Sequence, residues 1–231
     1  MTEPTTLVVI GGTSGIGREI AQRAAGRGET VIISGRRAEH ATQVADQIGG
    51  KTRGIAVDLA QPAGLAEQLA SIDRVDHLVL AAIARDQNTL DSYDFAPAIN
   101  LVLMKLVGNT QAIHLLRPVM TDDASIVVFG GQAYRIPYPG STTVSTVNGG
   151  VEGLVHSIAT QIAPVRINAI HPGIVGDSPA WEGKPQDLLI AQTPLGRLAT
   201  MSDIADAVEF LLRNRSVNGE CLTVNGGRYL R

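Results

Sequence analysis

The residues best suited to chemistry stand at two turns, each following a short apolar run. The first is Gly11-Gly12-Thr13-Ser14-Gly15-Ile16-Gly17, placed between the run Leu7 to Ile10 and the helix-like Arg18-Glu19-Ile20. Glycines at a strand-to-helix turn let backbone N–H groups approach an anion, and the positive end of the helix stabilises a pyrophosphate there. Gly11, Thr13, Ser14, Gly15, Ile16 and Gly17 are therefore expected to hold a nucleotide's phosphates, although the spacing is GxxxGxG and not GxGxxG. The second turn is Ser34-Gly35-Arg36-Arg37. An acid at this place would accept from the 2′-hydroxyl of an adenine ribose, whereas a guanidinium pairs with a 2′-phosphate. Gly35 offers no carboxylate and Ser34, Arg36 and Arg37 surround it, so the expected cofactor is NADP(H). Read without a ligand, the two arginines solvate the start of a helix.

These turns need a scaffold, and the rest of the chain supplies its pattern. Apolar runs recur at Leu7 to Ile10, Val31 to Ile33, Ile55 to Val57, Leu78 to Ala82, Ile126 to Phe129, Arg166 to Ile170 and Leu222 to Val224. Each reads as a buried strand. Between them lie helical stretches at 18–27, 38–48, 65–71, 101–116, 144–162 and 202–213, the last with Ser202-Asp203 as an N-cap signal. Strict alternation predicts right-handed crossovers and an α/β, doubly wound, seven-stranded parallel sheet with helices on both faces. Residues 1–231 read as a single Rossmann-type domain, of which 44% is hydrophobic and only 3% aromatic, the composition of a Val/Ile/Leu/Ala sheet core. The irregular stretch 176–197, with Pro179, Trp181, Pro185 and Pro194, reads as a substrate loop, either a lid or a binding loop.

Composition also excludes some classes. The formal charge of −3 without a basic run argues against nucleic acid or an anionic membrane as partner. The N-terminal Met1-Thr2-Glu3-Pro4-Thr5-Thr6 lacks a basic leader region, so a cytoplasmic, unexported protein is expected. Cys221 is the one cysteine, read as a small buried hydrophobe, and the five histidines neither follow HExxH nor cluster with it along the chain. No metal site is expected.

The first turn and four later segments together resemble the short-chain dehydrogenase/reductase family. They are Ile10 to Gly17, Asp58-Leu59, Asn100-Leu101, Asn168-Ala169-Ile170-His171-Pro172-Gly173 and the closing Asn218-Gly219 to Val224-Asn225-Gly226-Gly227. The resemblance implies that Asp58 and Leu59 contact adenine, that Ala81, Ala82 and Ile83 line the cofactor, and that Pro172, Gly173 and Ile174 reach its carboxamide. Ser178, beside Asp177, stands near the family's usual threonine.

The same resemblance locates a gap. Family members reduce a carbonyl with Ser, Tyr and Lys, the Tyr giving the proton and the Lys lowering its pKa. Asn148-Gly149-Gly150-Val151-Glu152-Gly153-Leu154 is similar to the family's KAAVxGL, which places Asn148 at the lysine, Val144 at the tyrosine and Gly131 at the serine. Asn100 alone remains of the usual set, with Asn148 as a neutral ribose partner and Tyr134 or Tyr138 as replacement acids. The expected function is NADP(H)-dependent oxidoreduction of a small carbonyl or hydroxyl compound by an atypical mechanism. The alternatives are a non-catalytic NADP(H)-binding sensor or inactive subunit, and a non-redox enzyme on the same fold. The family implies a homodimer or homotetramer.

Overall fold

Leu7 to Ile10 offer water no polar face, and all four are buried in β1 (Thr6–Ile10), the strand from which the sheet grows in both directions. In this computed structural model residues 5–230 are described, so the part of the leader argument that rests on Met1 to Pro4 lies outside the described residues. The other strands are β2 (Thr30–Gly35), β3 (Lys51–Ala56), β4 (Val75–Leu80), β5 (Met120–Phe129), β6 (Arg166–Pro172) and β7 (Cys221–Val224). They form a parallel sheet in the order β3-β2-β1-β4-β5-β6-β7, the expected doubly wound seven-stranded arrangement.

Alternate residues of each strand feed two cores. Leu7 and Val9 face α1 (Gly15–Gly26), α2 (Ala38–Ile48) and α8 (Met201–Arg213), packing with Ile20, Val44 and Ile204. Val8 and Ile10 face the opposite layer of α3 (Leu65–Leu69), α4 (Phe95–Val102), α5 (Asn109–Leu116) and α6 (Thr142–Ala159). A further short helix, α7 (Asp187–Ala191), lies within the stretch read as a substrate loop.

Three departures from the sequence expectation have physical causes. β3 begins at Lys51, ahead of the apolar Ile55, because an edge strand needs only one hydrogen-bonding neighbour and keeps its other side polar. The expected helix over 101–116 starts instead at Phe95, where Asp94 accepts from the Ala96 N–H, and is broken by a π-helical turn at Leu103–Gly108. There the helix presses on the chain after β3: a Cβ on Gly108 would lie 2.0 Å from the Leu59 carbonyl oxygen. Finally, α8 is capped by Thr200 and not by Ser202. The Thr200 hydroxyl accepts from the Asp203 N–H while the Asp203 carboxylate accepts from the Thr200 N–H, a reciprocal capping box. Among the described residues no helix is long and apolar enough to cross a membrane.

Candidate active site

The carboxyl ends of parallel strands leave a crevice where the winding reverses, and ligands bind there in open α/β sheets. Here the reversal falls between β1 and β4. At the end of β1 the chain turns tightly enough that two glycines have no substitute. Gly11 has φ +90° and a Cβ on it would sit 2.5 Å from the Ala82 nitrogen, while a Cβ on Gly17 would sit 2.2 Å from the Gly11 oxygen. Ser34 holds the turn from β2, its hydroxyl accepting from the Gly11 N–H and its carbonyl from the Gly12 N–H. Ser14 stands at the N-cap of α1 in extended conformation, yet its side chain caps no backbone N–H. The first-turn donors of α1 therefore remain available to an anion, and Thr13, Gly15 and Ile16 are only partly buried around them.

Arg36 and Arg37 project into solvent at the end of β2, with no ion pair to either among the described residues. Asp58 is half-buried and uses one carboxylate oxygen to accept from the Ala60 N–H, with Leu59 buried behind it. Ala81 and Ala82 line the turn after β4, but Ile83 is 65% exposed and points outward. Across the crevice, Gly173 packs on Asn225, and Ser178 donates its hydroxyl to the Val175 carbonyl at 2.7 Å. Asp177 accepts from the Met201 N–H at the start of α8, anchoring the 176–197 loop there, and lines the cleft beneath that loop. Between the 176–197 loop and the first turn of α1 lies an open cleft of about 520 Å³ lined by Gly15, Arg18, Asp177, Pro179, Trp181 and Met201.

The second half of the site is built at the end of β5. Gly131 lies directly before the Asn148 amide: a Cβ on Gly131 would come 2.9 Å from the Asn148 Nδ2. Asn148 projects from α6, is 7% exposed, and its side chain makes no hydrogen bond among the described residues. Below the loop His171 is fully buried, its Nδ1 lying 2.8 Å from the Gly131 carbonyl and its Nε2 without a partner. Burial is the largest influence on this imidazole and lowers its pKa, so it is neutral at pH 7. Gln132 donates to the His171 carbonyl and accepts from the Asn225 amide, tying β5, β6 and β7 into one floor.

The sequence-predicted side chains are only partly brought together. Gly131 and Asn148 meet, while Val144 lies one turn earlier on α6, packed against the core. Tyr134 stacks obliquely on His171, ring centroids 5.2 Å apart, and its hydroxyl is buried without a hydrogen bond. Burial first and the Glu152 carboxylate second push that phenol's pKa up. Tyr138 is 53% exposed on the same loop, in a turn closed by Ser141. Asn100 is exposed on α4 and is not hydrogen-bonded to any of the others.

The sequence reading missed Lys105. It projects from the π-helical turn, is 4% exposed, and donates to the Phe129 carbonyl at 2.8 Å, at the very end of β5. Desolvation lowers its pKa to about 8, with Arg85 nearby adding to the effect. A buried ammonium with one acceptor for three donors is an expensive group to keep. It places a positive charge beneath the Gly130-Gly131 loop. The available signal was a lone charge inside Leu103-Met104-Lys105-Leu106-Val107, on a stretch that otherwise packs into the core.

Known proteins share this fold. Residues 11–228 match the family model described as enoyl-(acyl carrier protein) reductase. Among curated proteins, the 3-oxoacyl-[acyl-carrier-protein] reductase of Bos taurus is 29% identical, covering 96% of this chain and 97% of its own length. The enzyme of the same name from Aquifex aeolicus is 30% identical, covering 96% of each. A solved short chain dehydrogenase/reductase family protein superimposes with a TM-score of 0.87 at 31% identity, over 99% of both chains.

Proposed function

Since the chain belongs to the short-chain dehydrogenase/reductase family, we propose that it is an NADPH-dependent reductase of a carbonyl compound, working without the Ser, Tyr and Lys of its relatives. The observation that carries the reading is the pairing of an uncapped α1 N-terminus with two unpaired guanidiniums, Arg36 and Arg37, at the end of β2. The first suits a pyrophosphate and the second a 2′-phosphate. For substrate, the relatives named for 3-oxoacyl thioesters supply the class, and exposed Ile136, Tyr138 and Leu188 offer apolar surface to an acyl chain at the strands' carboxyl ends.

NADPH, when bound, supplies a hydride to the carbonyl carbon. The chain's own residues must hold the oxygen and stabilise its growing negative charge. Asn148 has a free amide facing the space in front of Gly131 and donates to that oxygen or to a ribose hydroxyl beside it. Lys105 keeps a positive potential under the same loop without touching substrate. Tyr138, open to solvent, delivers the proton directly or through water, whereas Tyr134, its hydroxyl buried, packs its ring against His171. Exposed Ile99 and Val107 on the α4–α5 face support assembly as a homodimer or homotetramer.

A second reading, cofactor binding without turnover, is favoured by the burial of Tyr134 and the outward position of Asn100. Equilibrium titration with NADPH and NADH tests the cofactor assignment. NADPH should bind at least about tenfold more tightly, and Arg36→Ser should remove most of that preference. Equal affinity for the two nucleotides overturns the assignment.

A further inference from the structure

Glu152 and His156 stand one turn apart on α6, on one face of the helix, and Cys221 opens the neighbouring edge strand β7. Along the chain no histidine clusters with the cysteine, but the fold brings His156 Nε2 and Cys221 Sγ to 4.0 Å although 65 residues separate them. One carboxylate oxygen of Glu152, the imidazole nitrogen and the sulfur all fall within 4.8 Å of one another. We propose that Glu152, His156 and Cys221 form a zinc-binding site whose fourth position is open to solvent.

The donor set is the reason for zinc. Imidazole, carboxylate and thiolate are its usual ligands, and calcium or magnesium would take neither sulfur nor nitrogen. Charge also closes: one carboxylate and one thiolate balance a divalent cation, the Sγ–H proton leaving to solvent as the metal–sulfur bond forms. Tetrahedral zinc bonds place sulfur and nitrogen about 3.6 Å apart, so the observed separation closes by a few tenths of an ångström. The exposed His156 side chain can supply that movement. Neither His156 nor Cys221 has another side-chain partner among the described residues. Glu152 has one competitor, Arg135, at 3.4 Å, on a side chain 55% exposed that solvent can take over cheaply. Bound metal would clamp the middle of α6 to the start of β7, whose continuation at Asn225 holds Gln132 in the floor of the site. The inference stands apart from the proposed reductase activity.

The full chain, stripped with a chelator, is titrated with Co²⁺ followed by ultraviolet–visible absorption, and Zn²⁺ is then used to displace it. One equivalent should bind and give a sulfur-to-cobalt charge-transfer band that Zn²⁺ abolishes. Cys221→Ser should eliminate the band, and His156→Ala, at an exposed position, should weaken cobalt binding at least about tenfold with circular dichroism unchanged. Absence of the band at saturating cobalt, or cobalt affinity unchanged in His156→Ala, overturns the site.

Discussion

Lys105→Met removes the charge beneath the Gly130-Gly131 loop while keeping an unbranched side chain, and its consequence can be worked from the buried position. The Lys105 ammonium falls from 10.5 to about 8 on folding because it is desolvated, with Arg85 adding to the effect. Below about pH 8 the group is protonated in both folded and unfolded chains, and it carries a constant penalty. Between about pH 8 and 10.5 the unfolded chain holds the proton and the folded chain does not, so the stability of the wild type rises with pH. At about 1.4 kcal/mol per pH unit the rise is roughly 3 kcal/mol over that window. Lys105→Met cannot show it. Urea unfolding of both proteins at intervals from pH 7 to 10.5 isolates the effect, since every other titrating group cancels in the difference. The wild type should gain roughly 3 kcal/mol on the variant across the range. Parallel profiles would refute the burial of a charged lysine here, and with it the electrostatic role given to it.

Four other outcomes follow from the geometry. Gly17→Ala places a methyl 2.2 Å from the Gly11 oxygen, so thermal unfolding should show a loss of at least about 1–3 kcal/mol together with lost NADPH binding. Gly131→Ser does not restore a catalytic serine, because its Cβ must displace the Asn148 amide from 2.9 Å; NADPH titration and turnover should both weaken, and Gly131→Ala should behave alike. Thr200→Ala should cost about 1 kcal/mol in urea unfolding through the lost cap of α8. The Asp203 carboxyl in the same box is held well below the usual carboxylate range, first by Arg197 and then by the Thr200 N–H. Its contribution is full above the ordinary carboxylate pKa and disappears as pH falls through the folded value, so Asp203→Asn should converge with wild type in acid.

The parts of the molecule that were legible in sequence are those fixed by short-range pattern. Leu7 to Ile10 and the glycines after them specify a buried strand and a turn wherever they occur, and both are found as expected. Arg36 and Arg37 are placed by the end of their strand alone. What stayed hidden depends on side chains meeting across the sheet. Lys105 gained its meaning only when the π-helical turn swung it under Phe129, and His171 only when Gly130 left room for its ring 2.4 Å from where a Cβ would be. His156 and Cys221 became neighbours through the pairing of β6 with β7. Asn100 illustrates the converse: a motif match gives a position along the chain, but the winding of α4 decides which way it faces, and here it faces out.

The central proposal is that this chain transfers hydride without the Ser, Tyr and Lys of its relatives, and isotope transfer tests it most directly. Purified protein is incubated with NADPH deuterated at nicotinamide C4 on either face and with a short 3-oxoacyl thioester, and the product is weighed by mass spectrometry. The account predicts one deuterium on the new carbinol carbon from one of the two labelled cofactors, at a rate lowered by about 10² to 10⁴ in Tyr138→Phe. NADPH that binds tightly and keeps its deuterium across a panel of carbonyl compounds would contradict it.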